Sequence, residues 1–210
     1  MSSSPERPAR AATPRRRAAA SESARPTLTP ETWIEVATNV LVDQGIDHVR
    51  VDTLAQQLGV TRGSFYWHFR DREDLLRRVL QTWDEGSTAQ LTKRLQDARS
   101  DPREQLRDVI SLPFRGRAAT RAARIELAIR AWARRDEMVR QAVDAADANR
   151  IAYHAQVFTA LGFAEPQARM RAFLLYSYEV AESLLRQGSA AERAARRDFV
   201  ERLMQQPLKD

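Results

Sequence analysis

Residues 50–69, Arg-Val-Asp-Thr-Leu-Ala-Gln-Gln-Leu-Gly-Val-Thr-Arg-Gly-Ser-Phe-Tyr-Trp-His-Phe, restrict the fold of this chain more than any other segment. Leu54, Ala55 and Leu58 fall on one side of a short helix. Ala55 is small where two helices must approach closely, Gly59 can take the left-handed backbone of a tight turn, and Val60 can plug the angle between the helices. Thr61 stands where it can cap a second helix running to about Trp67. This is the spacing of a helix-turn-helix. The first turn of its second helix presents Thr61, Arg62, Gly63 and Ser64, which are small, polar or basic. Such a face can enter a major groove: Arg62 can donate to guanine or phosphate, Thr61 and Ser64 can bond phosphate or base edges, and Gly63 permits close backbone approach. Phe65 and Phe69 read as core aromatics that fix this helix rather than as platforms for bases.

The rest of the chain is expected to be all-α, because Gly and Pro punctuate helical periodicity and strand signals are absent. Thr29-Pro30 offers an N-cap followed by Pro at the first helical position, and Trp33, Val36, Ala37, Val40 and Leu41 repeat at helical spacing until Gly45. Asp101-Pro102 repeats the start signal, and Pro166 opens an apolar stretch from Phe173 to Leu185 that Gly188 closes. Between Arg117 and Leu161 there is neither Gly nor Pro, so a break is expected near Asp136 as an N-cap. Asp71 with Asp74 resembles a capping box, followed by a stripe of Leu75, Leu76, Val79, Leu80 and Trp83.

Three segments follow: a disordered basic arm over 1–27, a helix-turn-helix domain over 28–87, and a helical domain over 88–210. The arm is rich in Ser, Pro, Ala and Arg without apolar periodicity, and it carries six arginines against two glutamates, four of the six net positive charges. It either reaches phosphates or a minor groove beside the main site or is a solvated tail. With the folded part nearly neutral, the overall charge is weak evidence for a nucleic-acid partner.

Composition removes several other classes. The chain is 43% hydrophobic and 30% charged, as expected of a soluble globular protein, and no uncharged apolar run approaches the roughly 18 residues of a membrane span. No apolar secretory leader is visible, so a cytoplasmic location is expected. Zero Cys excludes disulfides and thiolate zinc sites, and His48, His68 and His154 lack metal-ligand spacing, so neither a metal nor a cofactor is expected. An enzyme is disfavoured for want of a His near a nucleophile, a Gly-rich phosphate loop or a clear carboxylate pair, although Glu126 and Glu179 stand in apolar stretches and could be buried.

Gly-Val-Thr-Arg-Gly-Ser-Phe-Tyr-Trp-His-Phe, followed by Arg-Asp-Arg-Glu-Asp-Leu-Leu, resembles the signature of TetR (tetracycline repressor-like) transcriptional regulators, with the first helix at the expected distance upstream. The likeness covers roughly residues 28–85 and is looser from Glu126 to Arg150. It implies that Tyr66 and His68 contact backbone phosphates, that Trp67 lies beside them, and that Arg72 opens the fourth helix with its cation on a phosphate. Arg50 departs from the pattern, because Thr or Ser commonly opens the second helix. Its side chain could still meet a phosphate as a cation, while Asp52 could supply the cap.

The resemblance also implies that the C-terminal bundle senses an unidentified small-molecule inducer and forms a homodimer. Ile125, Ala128, Ile129 and Trp132, and likewise Ile151, Ala155 and Phe158, form stripes that read as core, with Trp132 and Phe158 the candidates for lining a pocket. The segment from Phe173 to Leu185, apolar on more than one face, and a helix over 190–206 with Phe199, Val200 and Leu203 suit a dimer interface. The function expected is that of a repressor released from a palindromic operator by its inducer. The alternative is a ligand-independent structural or nucleoid-associated protein of the same fold.

Overall fold

Thr29 accepts a hydrogen bond at its hydroxyl from the backbone N–H of Thr32, and the Thr32 hydroxyl accepts one in return from the N–H of Thr29. With Pro30 at the first helical position, this reciprocal cap starts α1 (Pro30–Gln44) where the sequence predicts. Gly45, at φ +88°, ends it. The structure, a computed structural model, describes residues 28–96, 101–112, 116–185 and 188–206, apart from the side chains at 90, 92 and 94–96. The expected arm over 1–27 lies outside the described residues.

After α1 a short 3-10 turn, Ile46–His48, leads into α2 (Val51–Leu58), α3 (Arg62–Tyr66) and α4 (Arg72–Gln96). The bundle continues with α5 (Pro102–Ile110), α6 (Gly116–Ala133), α7 (Glu137–Ala160), α8 (Glu165–Leu185) and α9 (Ala190–Gln205), so the described residues are helical with no strand among them. Asp101 and Asp136 both cap as expected, Asp101 accepting from the N–H of Arg103 and Asp136 from those of Met138 and Val139. Asp71 accepts from the N–H of Asp74 at 2.7 Å, while the Asp74 carboxylate reaches back to the N–H of Arg70, one residue earlier than a regular capping box would.

Two apolar cores result, and the first of them crosses a division at residue 87. The first joins Trp33, Ala37 and Val40 of α1, Leu54 of α2, Phe65, Phe69, and Leu75 and Val79 of α4 to Ile129 and Trp132 of α6 and Val139 and Val143 of α7. The second gathers Leu106 and Ile110 of α5, Tyr153, Val157 and Phe158 of α7, Ala172 and Leu175 of α8 and Met204 of α9. Each large side chain buried in them contributes about 1.5–3 kcal/mol. Because α4 runs unbroken through residue 87 and the ends of α6 and α7 share the first core, the N-terminal helices are packed into the bundle rather than hung from it.

Surface ion pairs decorate the same seam, joining Arg121 to Glu35, Arg124 to Asp43 and Arg135 to Asp47. All are exposed, so each is worth about 0–1 kcal/mol, and the apolar core carries the attachment. At the far end Arg171 of α8, seated 4.1 Å over the Phe163 ring, donates to the carbonyls of Met204 and Gln206 and so fastens the end of α9.

Candidate nucleic-acid interface

Gly59 closes α2 in the left-handed region at φ +66°, ψ +32°, its N–H reaching the carbonyls of Ala55 and Gln56, and Val60 N–H follows to Ala55 O at 3.0 Å. This double closure turns the chain from α2 into α3, as the position of the glycine predicts. Phe65 then anchors α3, its fully buried ring edge-on to Trp33 at 5.4 Å and stacked near Phe69 at 5.3 Å. The two phenylalanines are core aromatics, as expected.

With Phe65 turned inward, its neighbours are left outside. Trp67 is 87% exposed and Tyr66 54% exposed, Thr61, Arg62 and Gly63 are exposed, and Ser64 and His68 are half-buried. Large aromatics this open to water are unusual on a protomer surface and mark a face built for a partner. A Cβ added at Gly63 would meet only Thr61 Oγ1, at 3.5 Å, an ordinary contact, and Gly63 is not among the glycines with positive φ. Nothing inside the protein requires glycine there.

Three expectations about individual residues change, those for Thr61, Asp52 and Arg72, while Arg50 lacks a capping bond as its departure from the pattern implies. Thr61 occupies the N-cap of α3 but makes no side-chain capping bond, leaving its hydroxyl outside. Asp52 does not cap α2; its carboxylate lies 3.0 Å from Nε of Arg62, an exposed pair in which Arg62 is held beside α2. Arg50 is the N-cap of α2 without a capping bond, its Nε donating to Asp47 O at 2.8 Å. Arg72 does begin α4, but its guanidinium is not held out as a free cation. Nε donates to Val49 O at 2.6 Å and Nη2 to Ile46 O at 2.9 Å, while Nη1 lies 3.7 Å from Glu73.

Farther along the bundle, α4, α5, α6, α7 and α8 line an open-sided cavity of about 550 Å³. Ala119, Ala122, Leu127, Val109 and Val180 give it apolar walls, and Arg130, Arg150, Glu126 and Tyr176 give it a polar end. Trp132 and Phe158, the candidates read from sequence, do not line it. Trp132 is buried in the first core and Phe158 in the second, so their helical stripes serve packing.

Sequence reasoning missed the group at the polar end. Glu126 bridges the two arginines, accepting from Arg130 at 2.8 Å and from Arg150 at 2.7 Å. Asp147 takes two hydrogen bonds from Arg130 and one from the Tyr176 hydroxyl. Arg150 reaches on to the hydroxyl of Ser87 on α4, the helix that begins beside α3. Burial alone would raise the carboxyl pKa values, but the hydrogen bonds and charges of the arginines outweigh it and hold Glu126 and Asp147 below the usual carboxylate range. Burial pushes the Tyr176 phenol up to about 12. The placement of Glu126 in an apolar stretch was the only advance signal. Its two partners are Arg150 on α7 and Arg130 a turn away on its own helix.

No helix among the described residues is long and apolar enough to cross a membrane, and no group of three or more His, Asp or Glu among them could hold a metal ion.

Residues 34–79 match the family model described as bacterial regulatory proteins, tetR family. Among curated proteins, the chain is 43% identical over 47 residues to the HTH-type transcriptional regulator SrpR of Pseudomonas putida, covering 22% of each chain. The match thus spans about a fifth of that relative's length. Solved structures extend the likeness to the bundle. A transcriptional regulator from Rhodococcus sp. Rha1 superposes with a TM-score of 0.64 at 21% identity, over 85% of this chain and 92% of the other. FadR from Bacillus subtilis, in complex with stearoyl-CoA, gives 0.61 at 19% identity, over 86% and 100%. At these identities the structural likeness speaks for the fold.

Proposed function

With residues 34–79 matching the model of the tetR family of bacterial regulatory proteins, we propose that the chain is a sequence-specific transcriptional regulator that grips a duplex with α3 and the residues after it. The observation that carries this reading is the glycine-hinged α2–α3 pair, whose outer side leaves Tyr66 and Trp67 in water. Thr61, Arg62, Gly63 and Ser64 approach base edges and phosphates, and Tyr66, Trp67 and His68 lie along the backbone. Arg50 keeps its terminal nitrogens for a phosphate.

The working unit is a homodimer. Met170, Phe173, Leu174, Leu184 and Leu185 of α8 and Phe199 and Leu203 of α9 are all exposed on the protomer, at spacings of three, four and eleven residues that line helix faces. Covering them with a second copy of α8 and α9 makes a four-helix interface. The two α3 helices then enter successive major grooves of an inverted repeat, about 34–36 Å apart.

A small molecule in the cavity between α4 and α8 weakens this grip. The size of the cavity, its mixed lining and the acyl-CoA bound by a relative of the same fold support the reading. A coupling of about 1–3 kcal/mol is enough to change DNA affinity severalfold to a hundredfold. The DNA-bound dimer represses, the ligand releases it, and the protein works in the cytoplasm without catalysing a reaction. Selection of binding sites from random duplex DNA by the purified protein tests the proposal: an enriched inverted repeat is expected. Salt-sensitive binding without enrichment would favour a structural DNA-binding protein instead.

A further inference from the structure

The short connection between α1 and α2 has to present three backbone carbonyls, those of Ile46, Asp47 and Val49, at the edge of the helix-turn-helix. Local capping does little for it. Arg50 is the N-cap of α2 and makes no capping bond, and the turn's own bonds are local: His48 N–H to Gly45 O and Val49 N–H to Ile46 O at 3.2 Å, Arg50 N–H to His48 O and Arg50 Nε to Asp47 O at 2.8 Å, none of them reaching another helix. The remaining support comes from elsewhere in the chain. Arg72, 23 residues beyond Val49, donates Nε to Val49 O and Nη2 to Ile46 O at 2.6 and 2.9 Å.

Arg72 is also the first residue of α4, whose start is tied down by the bonds between Asp71 and Asp74 and between Asp74 and Arg70. One side chain therefore spans the entry to α2 and the start of α4, and the α2–α3 unit lies in the loop of chain between them. The planar fork suits the task, since two differently directed N–H groups meet two carbonyls three residues apart, which a lysine ammonium on a flexible stem cannot reproduce. The remaining terminal nitrogen faces the Glu73 carboxylate at 3.7 Å, which offsets part of its charge.

We propose that Arg72 is a positioning residue for DNA binding: it fixes the α1–α2 connection against α4 and so sets the angle of α3, and it does not act by neutralising a phosphate. The inference rests on the DNA-binding reading above. Salt separates the two roles, because each phosphate neutralised adds about 0.9 to the slope of log affinity against log salt concentration.

The experiment measures affinity for the enriched duplex across a salt series with wild type, Arg72→Lys and Arg72→Ala, and backbone hydrogen exchange over residues 46–54 in the same proteins without DNA. Positioning predicts that both variants lose about tenfold in affinity, the equivalent of one charge-assisted hydrogen bond, with the wild-type slope retained. It also predicts faster exchange over residues 46–54 in both, because Lys keeps the charge but not the fork. A slope about 0.9 shallower in Arg72→Ala, with Arg72→Lys close to wild type in affinity and exchange, would overturn the inference while leaving the DNA-binding reading standing. A wild-type protein that binds no duplex at all would overturn both.

Discussion

Replacing Gly63 with Ala separates what the fold needs from what the duplex needs. Gly63 is the second residue of the five-residue helix α3 and has no positive φ, and an added Cβ would touch only Thr61 Oγ1 at 3.5 Å. The methyl group therefore fits, and it removes the entropic cost of glycine in a helix, about 0.5–1 kcal/mol. For a chain of this size that corresponds to a rise of roughly 1–4 °C in Tm. Against DNA the same methyl stands between backbone and groove, where an imperfect contact costs about 1–3 kcal/mol, or roughly fivefold to 150-fold in affinity.

Gly59→Ala is the contrast. At φ +66° an alanine pays about 1–2 kcal/mol of backbone strain, so its Tm should fall. Thermal unfolding by circular dichroism and fluorescence anisotropy with a labelled duplex read both effects. A lower Tm for Gly63→Ala would show that the fold itself requires the glycine. A higher Tm with unchanged affinity would show that the backbone at 63 stays clear of the DNA.

Arg62→Ala should change stability by less than about 1 kcal/mol, because its pair with Asp52 is exposed, yet flatten the discrimination among single-base variants of the duplex by about 1–3 kcal/mol at one position; equal weakening on every duplex would refute a base contact. Leu174→Asp, at a residue exposed on the protomer, should leave the helical signal intact but give a monomer by light scattering at micromolar concentration and weaken DNA binding; a persistent dimer would place the interface elsewhere. Glu126→Gln leaves Arg130 and Arg150 short of a counter-charge and should cost about 3 kcal/mol, at the lower end for a buried pair. Since the Glu126 and Asp147 carboxyls lie below their ordinary values, the wild-type advantage is full above the unfolded carboxylate pKa near about 4 and is lost as pH falls through the depressed folded values. Melting curves of both proteins should converge in acid, and a gap that widens there would contradict the assignment.

What could be read from the sequence was local. Thr29, Gly45, Gly59, Asp101 and Asp136 each act on backbone groups within a few residues, so their positions alone place the helix ends. Phe65 and Phe69 were legible for the same reason, being apolar positions one turn apart. Periodicity shows that a helix face is buried but not against what, which is why Trp132 and Phe158 prove to be core residues and not cavity walls. The polar end of the cavity depends on Glu126, Asp147, Arg150, Tyr176 and Ser87 arriving from four helices, and no spacing in the chain encodes that meeting. Arg72 has the same character. Its partners are backbone carbonyls 23 and 26 residues away, which carry no side-chain signature.

The most direct test of the central claim is the ratio of affinities, at one fixed near-physiological salt concentration, for the enriched inverted repeat and for a scrambled duplex of equal length and composition. A sequence-reading face built on α3 predicts a ratio of about 10³ or more. A ratio near one would mean that the protein holds DNA through its backbone alone, and the account of α3 as the reading element would be wrong.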